Sequence, residues 1–223
     1  MPEWWTYRLS DLLLFSPRTY YRMFELYHEQ IWPIHLVVLG AMVAIAVLTY
    51  RGDEWRGRAI AGLLVVSWLW VAIAFHLQRY ATINWAAKYF AVLFVIQAML
   101  LLWHGVVRGR LRFVVAREPA AYMAVGLLFV ALVFVPIAGR IAERTWRQVE
   151  IFGVTPDPTA VATLALLALS VPRASRALLV IPVTWCAVGG ATLWALGSAE
   201  AWVVLLSGLS GLVLAIRTAR SSA

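Results

Sequence analysis

The stretch AVLFVIQAMLLLWHGVV, residues 91–107, contains no aspartate, glutamate, lysine or arginine. Its apolar residues are continuous and do not alternate with polar ones, which argues against a membrane β-barrel. A helix over this stretch would reach about 25 Å, close to the bilayer hydrocarbon thickness of about 30 Å. Because lipid offers the backbone no hydrogen-bond partners, a helix is the structure that such a run favours. The stretch therefore predicts a membrane-spanning helix.

The whole chain shares this character. Its 223 residues are 63% hydrophobic and 13% charged, whereas soluble domains carry about 25% charged residues. We predict the all-α class, in the form of a polytopic helical membrane bundle. About seven spans are expected, with six as the fallback, because the fifth is short and the seventh is marginal in length. The predicted spans are residues 32–50, 57–77, 84–107, 119–140, 157–172, 176–197 and 200–216.

The residues before the first span have a different pattern. Ser16 is placed to cap a helix whose first residue is Pro17. Tyr20, Phe24 and Tyr27 then recur at steps of four and three, which puts them on one helical face. Such a pattern predicts an amphipathic helix lying in the membrane interface. The predicted organisation is an interfacial aromatic-rich leader, a single transmembrane helical domain and a short cytoplasmic tail: residues 1–30, 31–217 and 218–223.

The basic residues bear on orientation and partners. The net charge is +8, and 18 of the 19 basic residues are arginines, most of them between apolar runs. The odd-numbered loops and the C-terminus together carry 11 of them, and the other side carries 8. The positive-inside rule then predicts the N-terminus outside and the C-terminus in the cytoplasm. We expect anionic lipids, and no nucleic acid, as partners of the cytoplasmic arginines.

Polar side chains of mixed chemistry are predicted to meet at the outward face. Imidazoles, carboxylates, an amide and tryptophan together are typical of a ligand site, whereas arginine alone is explained by orientation. The sequence therefore predicts an outward-facing pocket that binds or transports a small polar or zwitterionic molecule. The predicted ligand-binding residues are Glu25, His28, His35, His76, Arg79, Tyr80, Asn84, Trp85, Lys88 and Asp157.

Several of these residues also have simpler explanations. Tryptophans gather at membrane interfaces without binding anything. Asp157 could cap the helix that begins near Pro158, and Lys88 could extend towards the lipid headgroups. Gln97, in the middle of the third span, is expected to bond to a neighbouring helix.

Two alternative functions remain open from the residues. The first is a metal-dependent membrane enzyme that holds zinc or iron with His28, His35 and His76, completed by Glu25 or Asp157. The separation of His28 and His35 cannot be deduced, because a proline between them should break the helix. The second is an accessory subunit of a membrane complex, and a homo-oligomer is compatible with either. Transport would be supported by a discontinuous helix, for which Pro182 with Gly189 and Gly190 is a weak indication.

Four distinctive strings suggest a family. They are WWTYRLSDLLLFSPRTYYR (4–22), FHLQRYATINWAAKYF (75–90), EIFGVTPDPTAVATL (150–164) and IPVTWCAVGGATLWALG (181–197). Through them the chain resembles, over its whole length, a bacterial family of multi-pass membrane proteins described only as a domain of unknown function. The resemblance implies a location in the bacterial inner membrane. It implies no activity and no catalytic residues.

Overall fold

A computed structural model describes residues 13, 15–50, 52–172 and 174–217, with the side chain of residue 217 excepted. Within these ranges the chain is helical, apart from turns and one isolated bridge between Phe113 and Ser170. The predicted all-α class is confirmed. The helices are α1 (Pro17–Ile31), α2 (Ile34–Leu48), α3 (Glu54–Trp70), α4 (Ala87–Leu101), α5 (Pro119–Phe129), α6 (Val135–Ile141), α7 (Pro156–Ala168), α8 (Ala177–Ala195) and α9 (Glu200–Arg217).

Three of these helices widen into π-helical turns at their ends. α3 continues as Val71–Leu77, α4 as Leu102–Val107, and α5 as Val130–Phe134, which leads into α6. A 3₁₀ turn, Tyr80–Thr82, follows the first of them. π-Helical turns are rare and often lie at functional sites. One of the predicted site residues, His76, belongs to the first π-helical turn.

Four helical segments of the described residues are long and apolar enough to cross a membrane. They are Glu54–Thr82, Ala87–Val107, Pro119–Ile141 and Ala177–Ala195. The pair α1 and α2 would make a fifth if taken as one span, but it is bent by 91°. The predicted count of seven spans is therefore not confirmed. The difference of three arises because α2 and α7 have only 15 and 13 residues, which gives lengths of about 20 Å, and the apolar part of α9 is also short.

The short helix α7 lies at the centre of the bundle. Every residue from Pro156 to Ala168 is buried, and α3, α5, α8 and α9 pack around it. A helix that is apolar on all sides is expected in such a core position. Its Thr163 hydroxyl donates to the Thr159 carbonyl (2.7 Å) and accepts a hydrogen bond from Trp68 Nε1 (2.9 Å). The predicted fifth span is therefore enclosed by protein.

The outer helices present large apolar side chains on the surface. Val37 of α2 is 72% exposed and Met123 of α5 is 60% exposed, and α4 and α9 show similar residues. A soluble monomer rarely exposes so much contiguous apolar surface. Together with the four long helices, this indicates a membrane protein.

The connections between the helices lie at two opposite ends of the bundle, as their side-chain contacts show. At one end, Arg147 pairs with Glu29 and Arg144 pairs with Glu200. We call this the α1 end; it contains α1 and residues 78–86, 142–155 and 196–199. At the opposite end, Arg112 lies 3.5 Å from Glu54. The connections at each end are the same ones that the sequence analysis assigns to one side of the membrane. Which end faces the cytoplasm stays a prediction.

The helix α1 has the predicted capping and the predicted aromatic face, and this face packs against protein, with Phe24 and Tyr27 on Phe75 and Tyr20 on Tyr80. Ser16 Oγ accepts a hydrogen bond from the backbone N–H of Thr19 (3.2 Å), and Pro17 is the first helical residue. Tyr20, Phe24 and Tyr27 are all buried. The predicted leader residues 1–12 and 14 and the predicted tail, 218–223, lie outside the described residues.

Candidate functional site

The ten predicted site residues lie in several places, not in one pocket. Two of them, His28 and His35, line an open depression of about 720 Å³ at the corner between α1 and α2. We call it the histidine pocket. It is lined by His28, Glu29, Trp32, His35, Trp146, Arg147 and Ile151.

The two histidines of this pocket are joined in one hydrogen-bond chain. His28 Nε2 lies 3.1 Å from the carbonyl oxygen of Val149, and His28 Nδ1 lies 2.7 Å from His35 Nε2. Because a carbonyl only accepts, His28 Nε2 carries a proton. In a neutral ring His28 Nδ1 then accepts, and His35 Nε2 donates to it. His35 Nδ1 is left as an acceptor, and it is buried without a hydrogen-bond partner among the described residues.

The corner between the helices explains why these rings meet. His28 and His35 are seven residues apart, which on one straight helix would separate them by about 10 Å. The 91° bend after Trp32 folds the start of α2 back towards α1. The ring centroids of His28 and His35 are consequently 5.0 Å apart.

The rim of the pocket carries one charge of each sign and two aromatic rings. Arg147 Nη1 lies 2.5 Å from Glu29 Oε1, and both side chains are largely exposed. Trp32 and Trp146 are 64% and 63% exposed, so their rings are accessible to a ligand. The guanidinium of Arg140 covers one face of Trp146, 5.3 Å from its centroid.

Two other predicted residues, Glu25 and Arg79, line a second depression of about 780 Å³. It lies between α1, the turn after α3, and residue Gln148. Glu25 accepts from Arg22 (2.6 Å) and from Gln148 Nε2 (2.8 Å). We call it the arginine groove. Its lining residues are Arg18, Thr19, Tyr21, Arg22, Met23, Glu25, Leu26, Arg79, Thr82, Ile83 and Gln148.

Asp157 lies in the bundle interior, beside a second carboxyl group. Trp185 Nε1 donates to Asp157 Oδ1 (2.7 Å), and the backbone N–H of Asp157 donates to Glu150 Oε2 (3.2 Å). Thr155, and not Asp157, is the N-cap residue of α7. The capping explanation of Asp157 is therefore wrong, because its carboxylate bonds to α8. The α-carbon of Gly189 faces this carboxylate at a distance that leaves no room for a Cβ atom.

Glu150 precedes α7 in the connecting segment and is itself buried. Burial raises the pKa of its carboxyl group well above the ordinary value of 4.5, and repulsion from Asp157 and Glu200 raises it further. The ion pair between Arg144 and Glu200 closes the cluster towards the surface. The environment of Glu150 favours a protonated carboxyl group, since burial disfavours its charged form.

His76 is isolated from the other two predicted metal ligands. It is fully buried, and neither ring nitrogen has a partner among the described residues. Its ring contacts aromatic rings, with centroids 4.5 Å from Phe94 and 4.9 Å from Trp185. In the described parts of the chain, no group of three or more His, Cys, Asp or Glu side chains could hold a metal ion. The structure thus joins His28 to His35 but does not bring His76 to them.

The remaining predicted residues lie in the turn before α4 and in the first turn of α4. Tyr80 is buried, and Asn84 Oδ1 accepts from the backbone N–H of Ala86 (3.0 Å). Trp85 and Lys88 are exposed and line neither the histidine pocket nor the arginine groove. The expected interhelical bond of Gln97 is present: its Nε2 donates to the Leu178 carbonyl (3.1 Å).

Comparison with known proteins places the chain in a family. Residues 18–223 match a family described as "Family of unknown function (DUF6064)". The chain belongs to this family. The resemblance drawn from its sequence is thereby confirmed. No curated protein and no solved structure matches this DUF6064 protein.

Five pocket residues of the DUF6064 chain are absent from the predicted ligand-binding set: Glu29, Trp32, Trp146, Arg147 and Ile151. Trp32 and Glu29 were recognisable from their closeness to the histidines in sequence. Arg147 and Trp146 reach the pocket from a connection more than 100 residues later. The signal for them is that the sequence predicts this connection at the same outward face as the histidines. Trp185, the partner of Asp157, gave no signal beyond being a tryptophan inside an apolar run.

Proposed function

We propose that this DUF6064 protein is a membrane protein whose histidine pocket binds a small zwitterion with an ammonium group and an acidic group. The proposal is carried by one observation. His35, whose Nδ1 is a buried acceptor without a partner among the described residues, lines a pocket that also offers a carboxylate and a guanidinium. A buried polar atom of this kind is costly unless a donor completes it.

The charges of the rim match a zwitterion better than a simple ion. A ligand ammonium group would pair with Glu29 and, once the His35 ring turns to expose Nδ1, donate to that nitrogen, while tryptophan rings attract the same cation through their faces. The acidic group of the ligand would pair with Arg147, whose planar guanidinium suits carboxylates. Glu29 and Arg147 pair with each other at 2.5 Å. A zwitterion can replace that pair by two new ones, whereas a simple cation or anion would leave one of the two charges without a partner.

We propose binding in preference to transport. Pro182 with Gly189 and Gly190 is a weak indication of a broken helix in the sequence, but α8 runs without interruption from Ala177 to Ala195. That indication is therefore wrong. We further propose a bacterial inner-membrane location with the histidine pocket facing outward, on the basis of the arginine distribution.

The test is ligand-dependent stabilisation of the purified protein in detergent. The probe is γ-aminobutyrate, and butylamine and butyrate serve as matched cation and anion of the same chain length. Binding at a concentration 100 times the Kd should stabilise the folded state by about 2.7 kcal/mol. We expect a saturable rise in Tm with γ-aminobutyrate that exceeds the rise with either single ion.

A pair of tryptophan variants provides the control. Trp32→Leu removes a pocket wall, whereas Trp85→Leu changes a tryptophan of similar exposure at the same end, outside the pocket. The stabilisation should be reduced in Trp32→Leu and kept in Trp85→Leu. Equal stabilisation by all three probes, or none by γ-aminobutyrate, would overturn the proposal.

A further inference from the structure

The arginine groove has no lining residue in common with the histidine pocket and has a different charge. It contains three guanidinium groups, from Arg18, Arg22 and Arg79, and one carboxylate, from Glu25. Arg22 is paired with that carboxylate at 2.6 Å. The groove therefore carries an excess of two positive charges and is unsuited to the balanced ligand of the histidine pocket.

The two remaining arginines approach the groove from different elements. Arg18 belongs to the first turn of α1, and Arg79 lies in the turn after α3. Neither forms an ion pair with an acidic side chain of the described residues. Guanidinium groups form bidentate hydrogen bonds with phosphate oxygens, so two of them facing one groove suit a phosphate group.

The carboxylate in the groove does not cancel this preference. Glu25 is held by Arg22 and by Gln148 Nε2, at 2.6 and 2.8 Å. Both of its oxygens are thereby occupied, one by each donor. Glu25 consequently fixes one wall of the groove, and the charges of Arg18 and Arg79 remain available to an anion.

The position of the groove indicates where the phosphate comes from. α1 turns by 91° into the apolar helix α2, so the groove on α1 lies at the end of the bundle, at the level where α2 would leave the bilayer. Apolar side chains line the groove beside the arginines, including Leu26, which is 43% exposed. A site with basic groups next to exposed apolar surface fits the headgroup and the first acyl carbons of a lipid better than a free ion.

We infer that the arginine groove binds the phosphate of a phospholipid headgroup at the α1 end. Arg18 and Arg79 hold the phosphate oxygens, and Leu26 contacts the acyl side. This site is independent of the proposed zwitterion pocket, so either can exist without the other.

The test is native mass spectrometry of the full chain in detergent, titrated with phosphatidylglycerol and with a diacylglycerol of the same acyl chains. We expect one tightly retained phosphatidylglycerol and no comparable retention of the phosphate-free lipid. Arg18→Gln and Arg79→Gln should each weaken retention by about 10-fold to 100-fold, the range for one charge-assisted hydrogen bond. Arg110→Gln, at the opposite end of the bundle, should leave that binding event unchanged.

Further variants and a competing anion distinguish a phospholipid site from nonspecific lipid binding and from a site for free phosphate. Arg18→Lys keeps the charge but loses the planar fork, so we expect intermediate binding. A melting curve of each variant checks that the exposed substitutions leave the fold intact. If diacylglycerol binds equally, or the Arg18 and Arg79 variants bind as the wild type does, the phosphate site is refuted. If inorganic phosphate displaces the lipid at equal concentration, the lipid source is refuted.

Discussion

Adding one methyl group at Gly189 should destabilise the bundle through Asp157. An ideal Cβ at this position would lie 3.0 Å from Asp157 Cγ and 3.1 Å from Oδ2, and closer still to Oδ1. The obstruction is the same carboxylate that accepts from Trp185 Nε1 at 2.7 Å. Gly189→Ala must therefore move Asp157 or α8, and either movement stretches a buried hydrogen bond.

The expected change in the free energy of unfolding is the sum of three contributions. Overpacking a filled interior costs about 1–3 kcal/mol, and loss of the buried hydrogen bond costs a further ~1–3 kcal/mol. The better helix propensity of alanine returns about 1 kcal/mol. Gly189→Ala should lower the free energy of unfolding by roughly 1–5 kcal/mol. Gly62→Ala, within α3 and with no atom of another element within 4 Å of its Cβ, should raise it by up to about 1 kcal/mol.

The assay is unfolding in mixed detergent micelles, followed by tryptophan fluorescence, for the two single variants and for Asp157→Ala with and without Gly189→Ala. In the Asp157→Ala background the obstructing carboxylate is gone, so Gly189→Ala should cost little. A coupling of about 1–3 kcal/mol between the two positions is expected. Strictly additive effects, or a Gly189→Ala variant as stable as Gly62→Ala, would refute the contact.

Three more outcomes are expected from the buried polar groups. Because the pKa of Glu150 is raised above its ordinary 4.5, the folded state binds this proton more tightly than the unfolded state does. Stability should then fall as the pH rises above about 4.5, and Glu150→Gln should flatten this slope in pH-dependent melting curves. Thr163→Val leaves the Trp68 indole N–H without its acceptor and should cost about 1–3 kcal/mol in the micelle unfolding assay; a neutral effect would contradict the bond. Gln97→Leu removes one hydrogen bond but also a buried amide oxygen that has no partner in the described chain. The substitution should lower the free energy of unfolding by less than about 1.5 kcal/mol. A larger decrease would contradict the assignment of a single interhelical hydrogen bond to this amide.

The local pattern of α1 was sufficient to predict that helix. The spacing of Tyr20, Phe24 and Tyr27 gives the buried face, and Ser16 with Pro17 gives the start. These features depend on residues within one or two turns of each other. Prediction and structure therefore agree on the start of the helix and on its aromatic face, whereas its location in the membrane interface stays a prediction.

The number of spans could not be predicted in the same way. A continuous apolar run has the same composition whether lipid or protein surrounds it, and α7 is surrounded by protein. Its many alanines and threonines allow neighbouring helices to approach closely. Only the packing of α3, α5, α8 and α9 around it distinguishes this helix from a lipid-facing span.

The sequence predicts which kinds of side chain the site contains but not how they are grouped in space. The imidazoles, carboxylates and arginines of the α1 end were recognised, but their grouping depends on contacts between distant segments. Asp157 is the clearest example: its sequence neighbours suggest a helix cap, while its bonding partner Trp185 lies 28 residues later. His28 and His35 depend on the angle of one corner, which no spacing rule supplies.

The zwitterion pocket is tested most directly by ¹⁵N NMR of the protein labelled only at histidine, of which the chain has four. Without ligand, His35 Nδ1 should resonate as an unprotonated nitrogen without a hydrogen bond. Saturation with γ-aminobutyrate should shift this resonance to the position of a hydrogen-bonded acceptor, while His104 at the opposite end should not move. A His35 resonance that γ-aminobutyrate leaves unchanged, or that moves no more than His104, would contradict the proposed function.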